Sequence, residues 1–598
     1  MIACACLLAS ACGGGGANVS VPPPDATLAF SASPGTVASN GSSMLTWTST
    51  NATSCAASGG WSGSKATSGS ESTGALTATT TYTLQCDGAG ASVTRSATVT
   101  VSATPAPTVT LTANPNSVSS GGASILTWSS TDATTCTATG GWTGAKPTNG
   151  SQSTGALTAS TSFTLTCSGA GGSTGRTVTV TVTSSTAMFP LHTEVGKRYL
   201  IDAQGNPFLI QGDAPWSLIV RPTSAQAEQY LEDRRLKGFN TVLVNLIEHK
   251  FADAPPKNAN GDAPFLTPGD YATPNEAYFA HAEDVINLAA AKGILVLLTP
   301  SYMGYNGGDE GWYQEMTMNG ATKLRTYGQY VANRLGGHDN ILWVEGGDFN
   351  PPEKSLLRAI VNGIRDVDTA GRLLHTFHGN RGTSALSFLG TSEAWLGVND
   401  IYTDGTSVVA NAFTEYNRST MPFFLIEAVY ENEGVGGSGV RTQAYQAVLS
   451  GASGQVMGNN PIWLFGGGWQ SALDSAGART LTQLRNLFAA HSWTLLQPDT
   501  SNALLTSGVS SGANRAAASR AIDGSFALVY TPSVRALTIN LAQLTGPRVS
   551  ARWYDPGDGA YATVTGSPFT ASGGMSFTPT GNNSQGDGDW VLVLESTP

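Results

Sequence analysis

No cysteine follows Cys167 in this 598-residue chain. A thiolate nucleophile or a cysteine-ligated metal is therefore excluded from everything downstream. Histidine is also scarce, seven in all, and none falls in a His-Glu-x-x-His pattern. His375 and His378 would face opposite sides of a strand. No metal is expected and no cofactor is implied. Residues 186–497 hold no Gly-x-Ser-x-Gly elbow, which weakens a serine esterase. No Gly-x-Gly-x-x-Gly follows their first strand, which weakens a dinucleotide-binding fold. No apolar run reaches the ~20 residues that a membrane helix needs. Cations are few, 30 Lys and Arg against 41 Asp and Glu for a net charge of −11, which argues against nucleic acid as a partner.

What is present changes character along the chain. Residues 1–12 are apolar and small and end in Cys12. They resemble a bacterial lipoprotein signal with Cys12 as the lipidation site, followed by a flexible tether over 13–25. The alternative is a plain secretory signal or a start placed too late, because no Lys or Arg precedes the apolar segment. On the first reading the protein is exported to the cell surface or periplasm and lipid-anchored to the outer membrane.

From residue 26 to 184 the chain is rich in Ser, Thr, Gly and Ala, with alternating runs such as Thr108–Thr112 that read as strands. Trp47, Cys55, Trp61 and Cys86 recur as Trp128, Cys136, Trp142 and Cys167, each 81 residues on. Two copies of one domain are expected, at 26–103 and 107–184, separated by a Pro-containing linker. Two cysteines per exported copy suggest the disulfides Cys55 with Cys86 and Cys136 with Cys167. The copies resemble bacterial immunoglobulin-like stalk repeats, although the usual order of Cys, Trp and Cys is not kept. Trp61 and Trp142 are read as core residues of a spacer rather than as a glycan-binding face.

Near residue 186 the composition becomes that of an α/β enzyme. Strand-like runs at 207–211, 241–246, 294–302, 341–346, 373–378, 395–402, 423–427 and 454–465 alternate mostly with helix-like ones, including 224–237, 275–292 and 323–335. Eight strands with intervening helices fit a (β/α)8 TIM barrel over 186–497. The loop running to Pro274 is too long for a routine connection and is expected to form a lid or wall. Two apolar runs each deliver a carboxylate: Ile341–Val344 runs through Gly346-Gly347 to Asp348, and Phe423–Ile426 ends in Glu427. Paired acids at strand ends suit glycoside hydrolysis, which needs one protonated and one ionised carboxyl group. Glu345, an odd number of residues from Asp348, should point to the opposite side. Asp213, Trp216, Asn245, Tyr302, His378, Tyr402 and Trp463 are the candidate substrate-binding residues, offering hydroxyl partners or stacking faces.

Residues 198–491 resemble the apiosidase-like glycoside hydrolases of family 140. The likeness rests on Gly212-Asp213 with Trp216, Pro274 to Phe279, Gly346-Gly347-Asp348, His378, Glu427, and the run from Gly451 to Trp463. It implies a (β/α)8 barrel with Asp348 as acid/base and Glu427 as nucleophile. It also implies retention of configuration and a substrate in which apiose is linked to galacturonate in pectic rhamnogalacturonan II. The chain departs from the family where Leu425-Ile426-Glu427-Ala428 replaces Asp-Gly-Glu-Pro. Residues 498–598 resemble the small collagen-binding-type β-sandwich that follows such barrels. A polyanionic substrate leads us to expect Arg221, Lys250, Arg381 or Arg441 along the cleft. A glycosidase of another furanoside or pectic linkage, or a non-catalytic surface adhesin, remains the alternative.

Overall fold

A computed structural model describes residues 21–119, 123–155, 157, 159–183 and 188–598. The signal expected at 1–12, with Cys12, lies outside the described residues, as does the tether up to residue 20. The chain divides into two units, residues 1–183 and 184–598.

In the first unit each repeat is a β-sandwich. The first has a sheet of Thr27–Ser33, Met44–Thr50 and Ser68–Ser72, and a five-stranded sheet that includes Ala52–Gly59, Thr80–Gly88 and Val93–Ser102. The second repeats this arrangement. Residues of both sheets share one core, with Leu28 and Trp47 from one and Leu84 and Cys86 from the other. The disulfides join Cys55 to Cys86 and Cys136 to Cys167. Each pair lies directly opposite on adjacent strands of one sheet, so these bonds link neighbouring inner strands rather than tying two sheets together. Trp61 packs edge-on against Trp47 and donates Nε1–H to Thr83 O at 3.1 Å, and Trp142 repeats both contacts. Both are packing residues.

The second unit begins with a short hairpin, Leu200–Ile201 against Pro207–Phe208, and then the barrel. Its parallel strands are β1 (Ile210–Asp213), β2 (Thr241–Asn245), β3 (Leu295–Thr299), β4 (Ile341–Gly346), β5 (His375–His378), β6 (Asn399–Tyr402), β7 (Phe423–Glu427) and β8 (Gly454–Asn459). They pair in the order β5-β4-β3-β2-β1-β8-β7-β6, and a bridge between His375 and Leu396 nearly closes the ring. Alternation sorts the side chains. Leu243, Leu295, Leu297, Leu342 and Val344 fill the interior, while Val242, Val244, Val296, Leu298 and Trp343 face the helices.

The helices of five or more residues are α1 (Ser224–Leu236), α2 (Glu276–Ala291), α3 (Tyr313–Leu335), α4 (Lys354–Val367), α5 (Ala385–Leu389), α6 (Val408–Arg418), α7 (Gly437–Leu449) and α8 (Ala476–Ala489). No helix among the described residues is long and apolar enough to cross a membrane. Several boundaries differ from expectation; the strands expected at 294–302, 373–378 and 395–402 are shorter, at Leu295–Thr299, His375–His378 and Asn399–Tyr402. The strand expected at 207–211 is split, because Pro207–Phe208 pairs in the hairpin and the barrel strand starts at Ile210. Helix α3 starts ten residues early, at Tyr313, and passes through Gly320 with φ 69°. Strand β8 stops at Asn459, before Pro461, which has no N–H to offer a ladder.

A third sandwich follows, with a seven-stranded sheet from Leu496–Pro498 to Trp590–Thr597 and a three-stranded one. The large sheet packs Phe526, Leu528, Tyr530, Val591 and Val593 against Val440, Ala444 and Tyr445 of α7 and Leu481 and Leu484 of α8. Arg441, fully buried, donates to both carboxylate oxygens of Asp589, at 2.7 and 2.6 Å. Barrel and sandwich therefore share an apolar interface pinned by a buried ion pair.

Candidate active site

The end of β4 is built to turn. Leu342 and Val344 face inward, so Glu345 faces outward, where Oε1 meets His375 Nδ1 at 3.0 Å. Burial raises the Glu345 pKa. The chain then passes Gly346, Gly347 and Asp348 with φ of 91°, 115° and 52°. A Cβ at Gly347 would sit 2.2 Å from Cδ2 of Tyr302, and one at Gly346 would lie 2.7 Å from His378 O. Both glycines are needed for this path. It presents Asp348 to the cleft with Tyr302 donating its hydroxyl to Oδ2 at 2.7 Å. Oδ1 is shielded from solvent and has no hydrogen-bond partner.

Glu427 arrives by a different device. Phe424 and Ile426 face the interior, so strict alternation would turn Glu427 toward the helices. The pairing of β7 with β6 shifts register between Leu425 and Glu427, and this bulge re-aims the carboxylate into the cleft. His378 connects the two acids. Its Nε2 lies 3.0 Å from Glu427 Oε2, and its Nδ1 accepts the Asp348 backbone N–H at 3.0 Å. Tyr402 stacks on the imidazole with ring centres 4.9 Å apart.

Burial, and then the charge of Asp348, push the Glu427 pKa up, while the His378 hydrogen bond and the Arg381 charge pull it down; the net direction is up. For His378, burial opposes protonation, and the Glu427 hydrogen bond and surrounding carboxylates pull the pKa up, to about 9. That pull requires both ring nitrogens to carry protons. The Asp348 N–H occupies the Nδ1 lone pair, so a proton there would set two donors face to face, and we assign the neutral Nε2–H tautomer. Burial, reinforced by Asp348, raises the Tyr302 pKa well above its ordinary value and keeps the phenol a donor.

The acids open onto a cleft of about 320 Å³ lined by Trp216, Asn245, Phe251, Tyr302, Glu310, Asp348, Glu427, Tyr430 and Trp463. One oxygen of each carboxylate and a His378 ring nitrogen lie within 4.8 Å of one another. A family model for the apiosidase-like catalytic domain matches residues 194–495, half of the chain. The chain belongs to the apiosidase-like family. It is a glycoside hydrolase, acting on a carbohydrate substrate. A collagen-binding-like domain model matches residues 498–595. A solved structure named a glycoside hydrolase aligns at 22% identity and TM-score 0.58 over 68% of this chain and 97% of its own. A family 5 glycoside hydrolase from Bacteroides vulgatus aligns at 22% identity and TM-score 0.60 over 68% and 93%. Both likenesses concern the fold. No curated protein matches.

Of the residues predicted for this apiosidase-like site, Trp216, Asn245, Tyr302, Trp463, Asp348 and Glu427 line the cleft. Asp213 does not. It is fully buried, with Oδ2 accepting from Arg234 Nε at 2.5 Å and from the Tyr230 hydroxyl at 2.7 Å; at the end of β1 it pairs with Val242, which faces the helices, so its side chain points outward and fastens α1. His378 is also fully buried, behind the acids rather than in contact with the cleft. Tyr402 backs His378 and accepts from Arg381 at 3.3 Å. Asn245 donates Nδ2–H to Glu248 at 3.3 Å, leaving Oδ1 buried and unpartnered at the cleft.

None of the four expected cations is among the lining residues. Arg441 is committed to Asp589, Arg221 to Asp253 and Leu464 O, and Lys250 to Asp309 and Glu310. Phe251, Glu310 and Tyr430 were missed. The first two sit on long loops without periodicity, whereas Tyr430, three residues past Glu427, was within reach of the strand-end argument; it accepts Trp216 Nε1–H at 2.7 Å. Glu248 shapes the loop that carries Phe251 by accepting the N–H groups of His249, Lys250 and Phe251. Among the described residues the group Asp348, His378 and Glu427 is compact enough to share an ion. With both imidazole nitrogens engaged, His378 has no free lone pair, and the donor set does not fit a metal.

Proposed function

We propose that this enzyme is a retaining glycosidase that releases apiose or a similar furanose from a pectic side chain of the rhamnogalacturonan II type. The observation that carries the mechanism is the carboxylate separation. One oxygen of Asp348 lies within 4.8 Å of one oxygen of Glu427, a closest approach that suits the ~5–5.5 Å spacing of retaining pairs better than the ~6.5–9.5 Å that admits a water for inversion. Glu427 attacks the anomeric carbon as the glycosidic C–O bond breaks, and Asp348 gives its proton to the departing oxygen. In the second step Asp348 takes a proton from water, the water oxygen bonds to the anomeric carbon, and Glu427 leaves as a carboxylate. The Oδ1 of Asn245, buried and without a donor, is suited to a sugar hydroxyl.

The sugar is inferred from family membership, and Leu425-Ile426-Glu427-Ala428 departs from the family's sequence there. Export with a lipid anchor at Cys12 is part of the same proposal. Chromatography of the sugar released from rhamnogalacturonan II tests the substrate: apiose supports it, and arabinose or a neutral oligosaccharide refutes it while leaving a glycosidase. Membrane fractionation of Cys12→Ala against the parent tests the anchor.

A further inference from the structure

The end of β5 holds a group that the chemistry above does not use. His378 has no exposed surface, yet its ring touches both acids and its carbonyl accepts the Gly347 N–H at 2.7 Å. The turn after β4 is thus hooked to one residue twice, by Gly347 N–H to the carbonyl and by Asp348 N–H to Nδ1. The second hook holds Asp348 at φ 52°, a conformation that side chains other than glycine rarely keep unaided. The opposite nitrogen reaches Glu427 Oε2. Tyr402 against one face and the edge of Trp216, 5.7 Å away, stop the ring from turning.

We propose that His378 is a two-handed positioning residue: its Nδ1 fixes the acid/base Asp348, and its Nε2–H orients Glu427 and favours its ionised form. The proposal rests on the roles given to Asp348 and Glu427 above. The two hands are separable, because an asparagine Oδ1 can stand in for Nδ1 and a glutamine Nε2 for Nε2–H. His378→Asn keeps the acceptor for Asp348 and removes the donor to Glu427. His378→Gln does the reverse.

The groups facing Glu427 are Asp348, His378, Arg381, Tyr302, Tyr402 and Tyr430, and Asp400 faces His378 from β6. Of these, His378 is the hydrogen-bond donor to Glu427. Losing it disfavours the carboxylate, so Glu427 ionises at higher pH. The acid limb of kcat/KM for His378→Asn should therefore move up by about one pH unit, on phenyl and 2,4-dinitrophenyl apiofuranosides alike. His378→Gln should leave that limb in place and lose roughly a hundredfold on the phenyl glycoside, with most of the rate restored on the dinitrophenyl glycoside, whose leaving group needs no proton. A purely structural histidine would give two variants with the same pH profile and the same leaving-group dependence, and that result overturns the proposal.

A readout that needs no substrate is nitrogen NMR of the parent enzyme labelled in histidine, assigned with the two variants. The neutral Nε2–H tautomer between pH 5 and 8 is expected for His378; an Nδ1–H tautomer or an imidazolium overturns the proposal. If Glu427→Gln remains active, the underlying assignment of roles has failed. If Glu427→Gln is inactive while the His378 variants do not diverge, only the inference has failed.

Discussion

Replacing Gly347 by Ala should cripple the enzyme while leaving it folded. The residue stands at φ 115° with a would-be Cβ 2.2 Å from the ring of Tyr302. Alanine there carries a backbone penalty of about 1–3 kcal/mol. The overlap is with a ring carbon, so Tyr302 must withdraw, and its 2.7 Å bond to Asp348 is lost. A buried phenol deprived of its partner adds about 1–3 kcal/mol. The sum, about 2–6 kcal/mol, lowers Tm without abolishing the fold. The effect on rate is larger in proportion, because a shift of about 1 Å in a catalytic group costs roughly a hundredfold. The matching control is Gly371→Ala, at φ 60° with nothing within 4 Å of the added carbon; it should lose about 1 kcal/mol of stability and no activity. The assay is kcat/KM beside thermal unfolding for both variants. If Gly347→Ala retained more than half the parental kcat/KM, the reasoning about this turn would be wrong.

Further outcomes follow from buried pairs. Asp213→Asn removes the carboxylate that faces Arg234 Nε in a fully buried site, leaving Asp233 as its ion-pair partner, and should cost about 1–3 kcal/mol, seen as a lower Tm with KM unchanged; a raised KM at unchanged Tm would return Asp213 to the cleft. Arg441→Met strands Asp589 at the junction of barrel and sandwich and should add a separate calorimetric transition for the sandwich; a single transition at the parental temperature would contradict the shared interface. Cys55→Ser with Cys86→Ser should destabilise the first repeat by about 2–5 kcal/mol and leave hydrolysis unchanged, because every residue lining the cleft lies in the second unit.

The barrel was legible because its strands are continuous apolar runs: β7 is found at the predicted Phe423–Glu427. The two acids were placed at strand ends by the same signal. The devices that aim them were not. Period-two alternation sends Glu345 outward as expected, but it would also send Glu427 outward, and only the pairing of β7 with β6 reveals the bulge that reverses it. Asp213 and Asp348 look alike in sequence, each following glycine at the end of an apolar run. What separates them is Arg234, 21 residues further on in α1, a contact that local pattern cannot supply. Arg441 fails as a cleft cation for the same reason, since its partner Asp589 lies 148 residues away in the sandwich. Phe251 and Glu310 sit on loops whose path is fixed by hydrogen bonds such as those to Glu248, and loops carry no periodicity to read.

The central claim is that Glu427 and Asp348 act together by double displacement. Proton NMR of the sugar as it first forms, recorded before mutarotation, tests it most directly. Carboxylate oxygens within 4.8 Å predict that the first-formed anomer has the configuration of the glycoside that was cleaved. Appearance of the opposite anomer first would mean that water attacks directly, and would contradict the account.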